Sequence, residues 1–200
     1  PAYADGTVCV AAGKGNRRPS TRSSVYGLDA ASGEKLWQTD LDANFGETPL
    51  VAAGGYAVGA GDEDTLRAFD LTTGEQTWTR SDRNVDSLTG HGGRVYLGGN
   101  DVAALDPASG RPDWTFDDDG SGYNRTFETP VFDGDSLFAV SARVVPRIYE
   151  LDVTTGRQQN AVETAEAGFL GGVAVDEDSV YFGADDATVY AYAQSASGSR

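Results

Sequence analysis

An acidic run in the middle of the chain, DDDGSGYNRTFE, has the spacing of a calcium-binding loop. Its first, third and twelfth positions are Asp117, Asp119 and Glu128, and its sixth is glycine. Calcium loops place carboxylate oxygens and a glycine turn at these positions. However, Arg125 stands where the pattern expects a ligand, and no flanking helices are predicted. The three acids are the candidate metal ligands. The alternatives are a solvated acidic loop and, for Glu128, membership of a repeated ETP that also occurs at 47–49.

Arginine is concentrated in loops that the strand pattern places on one face, mainly 11–24 and 139–147. The guanidinium fork suits carboxylate and phosphate groups. This loop face is therefore predicted to bind an acidic protein or another acidic ligand. The alternative is a solvated loop whose charges balance nearby acids. The candidate binding residues are Lys14, Arg17, Arg18, Arg22, Arg125, Arg143 and Arg147, and Arg80 and Arg83 are predicted to lie on the same face.

Residues for nucleophilic catalysis are scarce. His91 is the single histidine and falls in a predicted hairpin turn, away from the loop face. Cys9 is the single cysteine and falls in a VCV strand, where a small buried hydrophobic residue is expected. A serine or cysteine triad and a nitrogen-and-sulfur zinc site are therefore not expected. We predict no catalytic residue.

The charge balance limits the classes of partner. The chain carries 31 acidic and 15 basic residues, a formal net charge of −16. Such a charge argues against nucleic acid or an anionic membrane as the main partner. No apolar run approaches the roughly 18 residues of a membrane span, so direct membrane insertion is not expected. The composition resembles that of proteins from salt-loving microbes, and we expect a halophilic archaeon as the source.

The candidate residues are positioned by a repeat. The stretch Val25–Trp37, VYGLDAASGEKLW, returns as Leu66–Trp78, Val102–Trp114 and Ile148–Asn160, and a fifth copy begins at 189. The aspartates of the four full copies are separated by 41, 36 and 46 residues. This is the period of a four-stranded propeller blade. Because no stretch shows a 3.6-residue apolar period, the sequence predicts an all-β propeller with almost no helix.

The repeated residue types each have a structural role. The aspartate is predicted to accept backbone N–H groups of the turn that follows it. The glycine supplies a left-handed conformation, and the tryptophan lies across the neighbouring blade. Asn160 replaces the fourth tryptophan, so the junction between blades four and five is predicted to be the weakest. The structural set is Asp29, Gly33, Trp37, Asp70, Gly74, Trp78, Asp106, Gly110, Trp114, Asp152 and Gly156.

The pattern L-x-A-x-D-x-x-T-G-x-x-x-W is similar to the repeat of the pyrroloquinoline quinone (PQQ) propeller family, and Leu66–Trp78 matches it best. That family includes quinoprotein alcohol dehydrogenases and the propeller lipoprotein of the outer-membrane assembly machine. The resemblance implies a β-propeller of four-stranded antiparallel blades. We expect an arc of a seven- or eight-bladed ring, cut from a longer protein; a small five-bladed ring is the alternative. The predicted blades are 1–44, 45–84, 85–116, 117–163 and an incomplete 164–200.

The resemblance leaves more than one function open. The leading hypothesis is a non-catalytic scaffold that binds a protein or ligand on the loop face, without a cofactor. The alternative is a fragment of a PQQ-dependent dehydrogenase, which would need PQQ with calcium. The alcohol-oxidising branch also uses an adjacent cysteine pair, and this chain has one cysteine. A sensor domain fused to a signalling module is a third possibility. Family members are mostly exported, so an extracytoplasmic location is expected.

Overall fold

The computed structural model describes residues 1–13, 23–42, 45, 50–61, 65–81, 85–118, 126–142, 147–163, 169–176, 179–184 and 187–193. These residues contain no helix, as the sequence predicts. None of them forms a helix that is long and apolar enough to cross a membrane.

The described residues form twenty strands in five sheets, which we call blades one to five in chain order. Blade one consists of β1 (Ala2–Ala4), β2 (Thr7–Gly13), β3 (Ser23–Asp29) and β4 (Lys35–Leu41). Blade two consists of β5 (Val51–Ala53), β6 (Tyr56–Gly61), β7 (Thr65–Asp70) and β8 (Gln76–Ser81). Blade three consists of β9 (Val85–His91), β10 (Arg94–Gly99), β11 (Val102–Leu105) and β12 (Pro112–Phe116). Each of these blades has its strands in sequence order.

Blades four and five depart from this arrangement. Blade four consists of β13 (Thr126–Phe127), β14 (Val131–Asp133), β15 (Ser136–Ala142), β16 (Arg147–Asp152) and β17 (Gln158–Glu163). Both β13 and β14 pair with β15, so two short segments share the place of one inner strand. Blade five has three described strands, β18 (Phe169–Val175), β19 (Ser179–Ala184) and β20 (Val189–Ala193).

Tight two-residue turns join the first and second strands of blades one and two. Asp5 and Gly6 have φ values of 49° and 77°, and Gly54 and Gly55 have φ values of 55° and 84°. Positive φ at both central residues gives a turn whose twist matches that of the flanking strands. The Asp133-Gly134 pair predicts the same kind of turn in blade four, but the structure has this turn one residue later. Asp133 pairs with Ser136 as the last residue of β14, so the turn is 134–135.

The chain divides into two compact units, Pro1–Tyr96 with Ala104–Asp113, and Leu97–Ala103 with Trp114–Arg200. The first unit has a core that includes Cys9, Val25, Trp37, Phe45 and Phe69. Phe45 and Phe69 meet edge to face, with ring centroids 5.6 Å apart. Burial raises the pKa of the Cys9 thiol to about 11, so this residue stays protonated as a small core side chain.

The second unit has its own apolar cluster, which lies between the two blades that belong wholly to it. Phe138, Val140 and Ile148 of blade four contact Val180 and Phe182 of blade five. From Gln159 onward the outer strand β17 alternates exposed and half-buried residues, because Asn160 and Val162 face blade five and the residues between them face solvent.

Candidate functional site

Each repeated aspartate holds the turn that follows it. Oδ1 of Asp29 accepts hydrogen bonds from the Ala31 and Ser32 amides at 3.1 and 2.7 Å, and from Ser32 Oγ at 2.8 Å. Asp152 does the same with the Thr154 amide and with the amide and hydroxyl of Thr155. Asp70 and Asp106 accept the corresponding pairs of amides.

These hydrogen bonds favour the charged carboxylate. The Ser32 amide and hydroxyl hold the pKa of Asp29 below its ordinary value of 3.8. The Thr73 amide lowers the pKa of Asp70, and the Thr155 hydroxyl and amide lower that of Asp152. A carboxylate that accepts several N–H and O–H bonds is more stable as the anion. A perturbed carboxyl is often a sign of catalysis. Here the lowered pKa values result from the hydrogen bonds that the carboxylates accept within the turns.

The tryptophans connect one blade to the next. The indole nitrogen of Trp37 donates to the carbonyl oxygen of Leu71 at 2.9 Å. The ring lies against the Gly74 backbone so closely that a Cβ added there would be 2.4 Å from Cε3 of the ring. Gly74 also has a φ of 74°, which disfavours other residues. Glycine is therefore needed at this position for two reasons: it adopts the positive φ of the turn, and it leaves room for the indole ring.

The same contact recurs in both units. In the first, Trp78 donates to the carbonyl of Pro107 at 2.8 Å and lies on Gly110. In the second, Trp114 donates to the carbonyl of Val153 at 3.1 Å and lies on Gly156. In each case the acceptor is the residue directly after the repeated aspartate.

The Trp37 and Trp78 contacts are each accompanied by a second side chain that donates a hydrogen bond to the same turn. Thr39 Oγ1 donates to the carbonyl of Gly74 at 2.5 Å, and the Arg80 guanidinium donates to the carbonyl of Gly110 at 2.7 Å. Arg80 is one of the cations that the sequence predicts on the loop face. In the structure its guanidinium lies instead on a turn of the repeat.

Most of the predicted binding residues lie outside the described residues, namely Lys14, Arg17, Arg18, Arg22, Arg125 and Arg143, with Arg83 and the candidate metal ligand Asp119. Arg147 is described. Its guanidinium forms an ion pair with Glu163 across the ladder between β16 and β17. Hydrogen bonds with Tyr149 and with Glu163, together with the charge of Glu163, raise the pKa of Arg147.

A polar cluster surrounds Arg147 at the end of blade four that lies opposite the Asp152 turn. The Tyr149 hydroxyl donates to Oδ2 of Asp118. Two phenylalanines form the base beneath it, with the Phe116 and Phe127 ring centroids 5.1 and 6.0 Å from that of Tyr149. Phe127 is fully buried and Tyr149 is 2% exposed, so the hydroxyl is fixed by the core. We call Phe116, Asp118, Phe127, Arg147, Tyr149 and Glu163 the loop-end cluster.

The candidate metal site stays a prediction, because Asp119 lies outside the described residues; Asp117 and Glu128 lie in the part of the chain that is described. No group there contains three or more His, Cys, Asp or Glu side chains that could hold a metal ion. The Glu128 amide donates to the carbonyl of Val140 at 3.0 Å, so its backbone extends the pairing of β13 with β15. Asp118 of this acidic run belongs to the loop-end cluster, a role that the calcium-loop pattern does not predict.

Comparison with known proteins identifies the family. The family described as outer membrane protein assembly factor BamB matches residues 1–200. The chain belongs to this family of PQQ-like propellers. No curated protein matches the sequence.

Solved structures of related propellers are similar to the BamB-family chain in fold. BamB from Moraxella catarrhalis has 19% identity and a TM-score of 0.67, covering 89% of this chain and 59% of its own. A europium-containing methanol dehydrogenase has 14% identity and a TM-score of 0.70, covering 94% of this chain and 47% of its own. Quinohemoprotein alcohol dehydrogenase from Comamonas testosteroni has 13% identity and a TM-score of 0.68, covering 94% and 40%.

These likenesses confirm the β-propeller fold predicted from the repeat. The BamB-family chain spans three fifths or less of the length of each of these three structures. At these identities the similarity concerns the fold alone, since unrelated functions share propeller architectures.

A quinone and calcium site was tested against the described residues. Calcium needs a set of oxygen ligands, and no three acids gather among these residues. Each of the three indole rings, of Trp37, Trp78 and Trp114, lies on a turn glycine. We therefore assign no residue in the described part of this BamB-family chain to PQQ or to calcium.

Proposed function

We propose that this chain is a non-catalytic propeller that acts as a rigid protein-binding scaffold. The observation that carries the proposal is the match of all 200 residues to a family described as an assembly factor. The geometry supports the proposal, because the repeated aspartates hold turns and the tryptophans connect neighbouring blades. Blades held in this way lose little conformational entropy on binding, which favours a preformed docking surface.

The loop-end cluster supports a docking site on blade four. Its aromatic base is rigid, and rigid aromatic and arginine side chains are the residue types that dominate protein interfaces. Arg147 is paired with Glu163, and their side chains are 40% and 58% exposed. An exposed pair of this kind contributes little stability, about 0–1 kcal/mol. A carboxylate of an acidic partner can therefore replace Glu163 at low cost and form a bidentate contact with Arg147.

We also propose an extracytoplasmic location. The family description names an outer membrane assembly factor, and this supports placing the chain outside the cytoplasm. Cell fractionation with an antibody against the native protein tests this placement. Recovery with cytoplasmic markers alone would contradict it.

Site-specific photo-crosslinking in extracts of the source cells tests the scaffold. A photoreactive amino acid replaces Ala161, which is exposed and pairs with Tyr149, and in a second protein it replaces the exposed Thr154 in the turn at the other end of blade four. We expect a discrete crosslinked protein from position 161 alone. Arg147→Ser should weaken that band and Glu163→Gln should strengthen it, since the second change releases Arg147 from its internal partner.

Two results would overturn this proposal. One is equal labelling from positions 161 and 154, with no response to either substitution. The other is dye reduction by the native protein in the presence of an alcohol, PQQ and calcium, which would replace the scaffold with the dehydrogenase alternative.

A further inference from the structure

The exposed large apolar side chains among the described residues all belong to the first and last blades. Tyr3 of β1 and Leu36 of β4 are 66% and 53% exposed, and Val189 of β20 is 75% exposed. Exposed apolar side chains that form a continuous surface often mark a site of interaction. Tyr3 and Val189 lie on two blade faces that correspond to contact faces elsewhere in the chain.

We call the side of a blade that meets the following blade its front face, and the opposite side its rear face. On blade one, Cys9 and Val25 lie on the front face, because they share a core cluster with Phe69 of blade two. Side chains alternate between the two faces along a strand, and directly paired residues share a face. The register therefore places five apolar residues, all half-buried or exposed, on the rear face of blade one: Tyr3, Val8, Val10, Tyr26 and Leu28.

The same five positions of blade five form a contact between blades. By register they are Val175, Val180, Phe182, Tyr190 and Tyr192. All five pack in the apolar cluster that also contains Phe138, Val140 and Ile148 of blade four. Blade one therefore carries an apolar residue at every one of the positions that blade five uses to contact its neighbour.

The front face of blade five, on which Val189 lies, matches the front face of blade four. Tyr181 shares this face with Val189 by register. The equivalent residues of blade four, Phe138 and Ile148, are among those that contact the rear face of blade five. Blade five therefore presents an aromatic ring and a β-branched side chain at the same two positions of its own front face.

The contact between blades four and five is formed without an outer strand. Its apolar cluster consists of residues from β15, β16, β18, β19 and β20. Since β18, β19 and β20 are all present in blade five, this blade can offer its front face in the way that blade four does. The rear face of blade one has the residue types that such a contact uses. The occupant that matches both faces is therefore a second copy of this chain.

We propose that copies of this chain associate head to tail, with the front face of blade five of one copy on the rear face of blade one of the next. The contact is heterologous, so a pair of copies keeps one free face of each kind and can grow further. Each copy has a formal charge of −16, and this repulsion opposes the apolar contact. Because salt screens repulsion between exposed charges, association should increase with salt. The contact is independent of the loop-end cluster and does not rest on the proposed function.

Sedimentation velocity of the native protein tests the association. The protein is measured over a wide range of concentrations, in sodium chloride at about 0.1 M and about 1 M, where the screening lengths are about 10 Å and 3 Å. We expect the average mass to rise with protein concentration, and to rise further at the higher salt. A mass that stays that of a single chain under all these conditions would overturn the proposal.

Two charge substitutions at exposed residues assign the faces. Tyr3→Glu changes the rear face of blade one, and Val189→Glu changes the front face of blade five. Each should weaken association at least about a hundredfold, because the contact would bury a charge without a partner. Both side chains are largely exposed in the single chain, so the fold should be retained, which circular dichroism checks.

Leu36→Glu is the matched control, because it adds the same charge at another exposed apolar residue. Leu36 lies on the outer strand β4, outside the three inner strands that form the proposed contact. The residues at this position in the other described outer strands are also exposed, namely Thr77, Asp113 and Gln159. Association of Leu36→Glu should therefore equal that of the native protein. A loss as large as that of Val189→Glu would mean that added charge alone prevents association, and would overturn the assignment.

Mixing the two variants distinguishes a head-to-tail contact from other modes of association. Tyr3→Glu keeps a native front face on blade five, and Val189→Glu keeps a native rear face on blade one. An equimolar mixture should therefore form pairs of one copy of each variant, and these pairs should not grow further. Native-like association of either variant alone would overturn the proposal, and so would a mixture that stays single. Pairing between two β20 edges would be blocked by Val189→Glu alone, so an unaffected Tyr3→Glu protein would reveal it.

Discussion

The turn aspartates couple the stability of the fold to pH. The pKa of Asp152 is lowered from 3.8 by the Thr155 hydroxyl and amide, so the folded state holds the anion more strongly than the unfolded chain does. A lowered carboxyl pKa stabilises the fold above the unfolded value. That contribution disappears as the pH falls through the lower folded value. The pH window of the effect therefore lies at and below about 4.

The substitution Asp152→Asn should make this dependence visible. An amide oxygen accepts the same bonds without charge, so we expect a lower melting temperature than in the native protein at neutral pH. The difference should shrink as the pH falls below 3.8, where the native Asp152 also becomes protonated. Melting followed by circular dichroism across this range is the measurement. Glu75→Gln, which removes an exposed carboxylate of another turn, is the control. A pH-independent difference would contradict the linkage.

Two turn glycines separate backbone strain from packing. Gly33 and Gly74 have nearly equal φ values of 73° and 74°. A Cβ at Gly33 would meet nothing within 4 Å, whereas one at Gly74 would lie 2.4 Å from Trp37 Cε3. Gly33→Ala should therefore cost about 1–2 kcal/mol of unfolding free energy, the left-handed backbone penalty. Gly74→Ala should cost about 1–3 kcal/mol more, because the buried ring must move. Urea denaturation measures both, and equal losses would refute the double role of Gly74.

At the scale of elements, the outer strands differ in how firmly they hold the following blade. β4 supplies an indole and a hydroxyl donor, through Trp37 and Thr39. At the same register β17 supplies Asn160 and Val162, and Oδ1 of Asn160 accepts from the adjacent Ala161 amide within its own strand. Ala193 also replaces the repeated aspartate in blade five. The structure thus gives a reason for the predicted weakness of this junction.

Hydrogen exchange should order the blades accordingly. The amides of β19 should exchange faster than those of β6, the equivalent strand of blade two, because blade five lacks the indole contact. Trp114→Phe removes the bond to Val153 and should raise the exchange rates of β16. Leu36→Ala, at an exposed residue beside Trp37, should change none of these rates. Equal protection of β6 and β19 in the native protein would show that the indole contacts do not set local stability.

Contacts that are local or that recur in each repeat could be predicted from the sequence. Contacts that are neither local nor repeated could not. The Asp152 turn is encoded within five residues and recurs, so its hydrogen bonds could be predicted from pattern alone. The contact between Tyr149 and Asp118 joins residues 31 apart. Tyr26 and Tyr190 occupy the same repeat position as Tyr149, so the tyrosine alone does not indicate the contact. The pairing of Glu150 with Asn160 depends on strand register, which the missing tryptophan alone does not determine. The turn of blade four is predicted one residue too early because both Asp133-Gly134 and Gly134-Asp135 contain residue types that tight turns favour.

At the scale of the whole molecule, the net charge of −16 opposes folding. Acidic residues outnumber basic ones about two to one, so about half of the negative charges are not balanced by a positive charge. Exposed ion pairs such as Arg94 with Asp113 act in the other direction, but each contributes at most about 1 kcal/mol. Repulsion among many like charges should exceed these few attractions. Compact folding concentrates that repulsion, and salt screens it.

Salt should therefore stabilise the native protein. The screening length falls from about 10 Å at 0.1 M salt to about 3 Å at 1 M. A gain of about 1 kcal/mol would raise the melting temperature by roughly 2–4 °C in a chain of this size. Melting in sodium chloride and in potassium chloride measures the effect, and the two salts should agree because screening does not depend on the cation. A variant with several exposed acids changed to their amides should respond less. A melting temperature that falls with salt would mean that ion pairs such as Arg94 with Asp113 outweigh the repulsion.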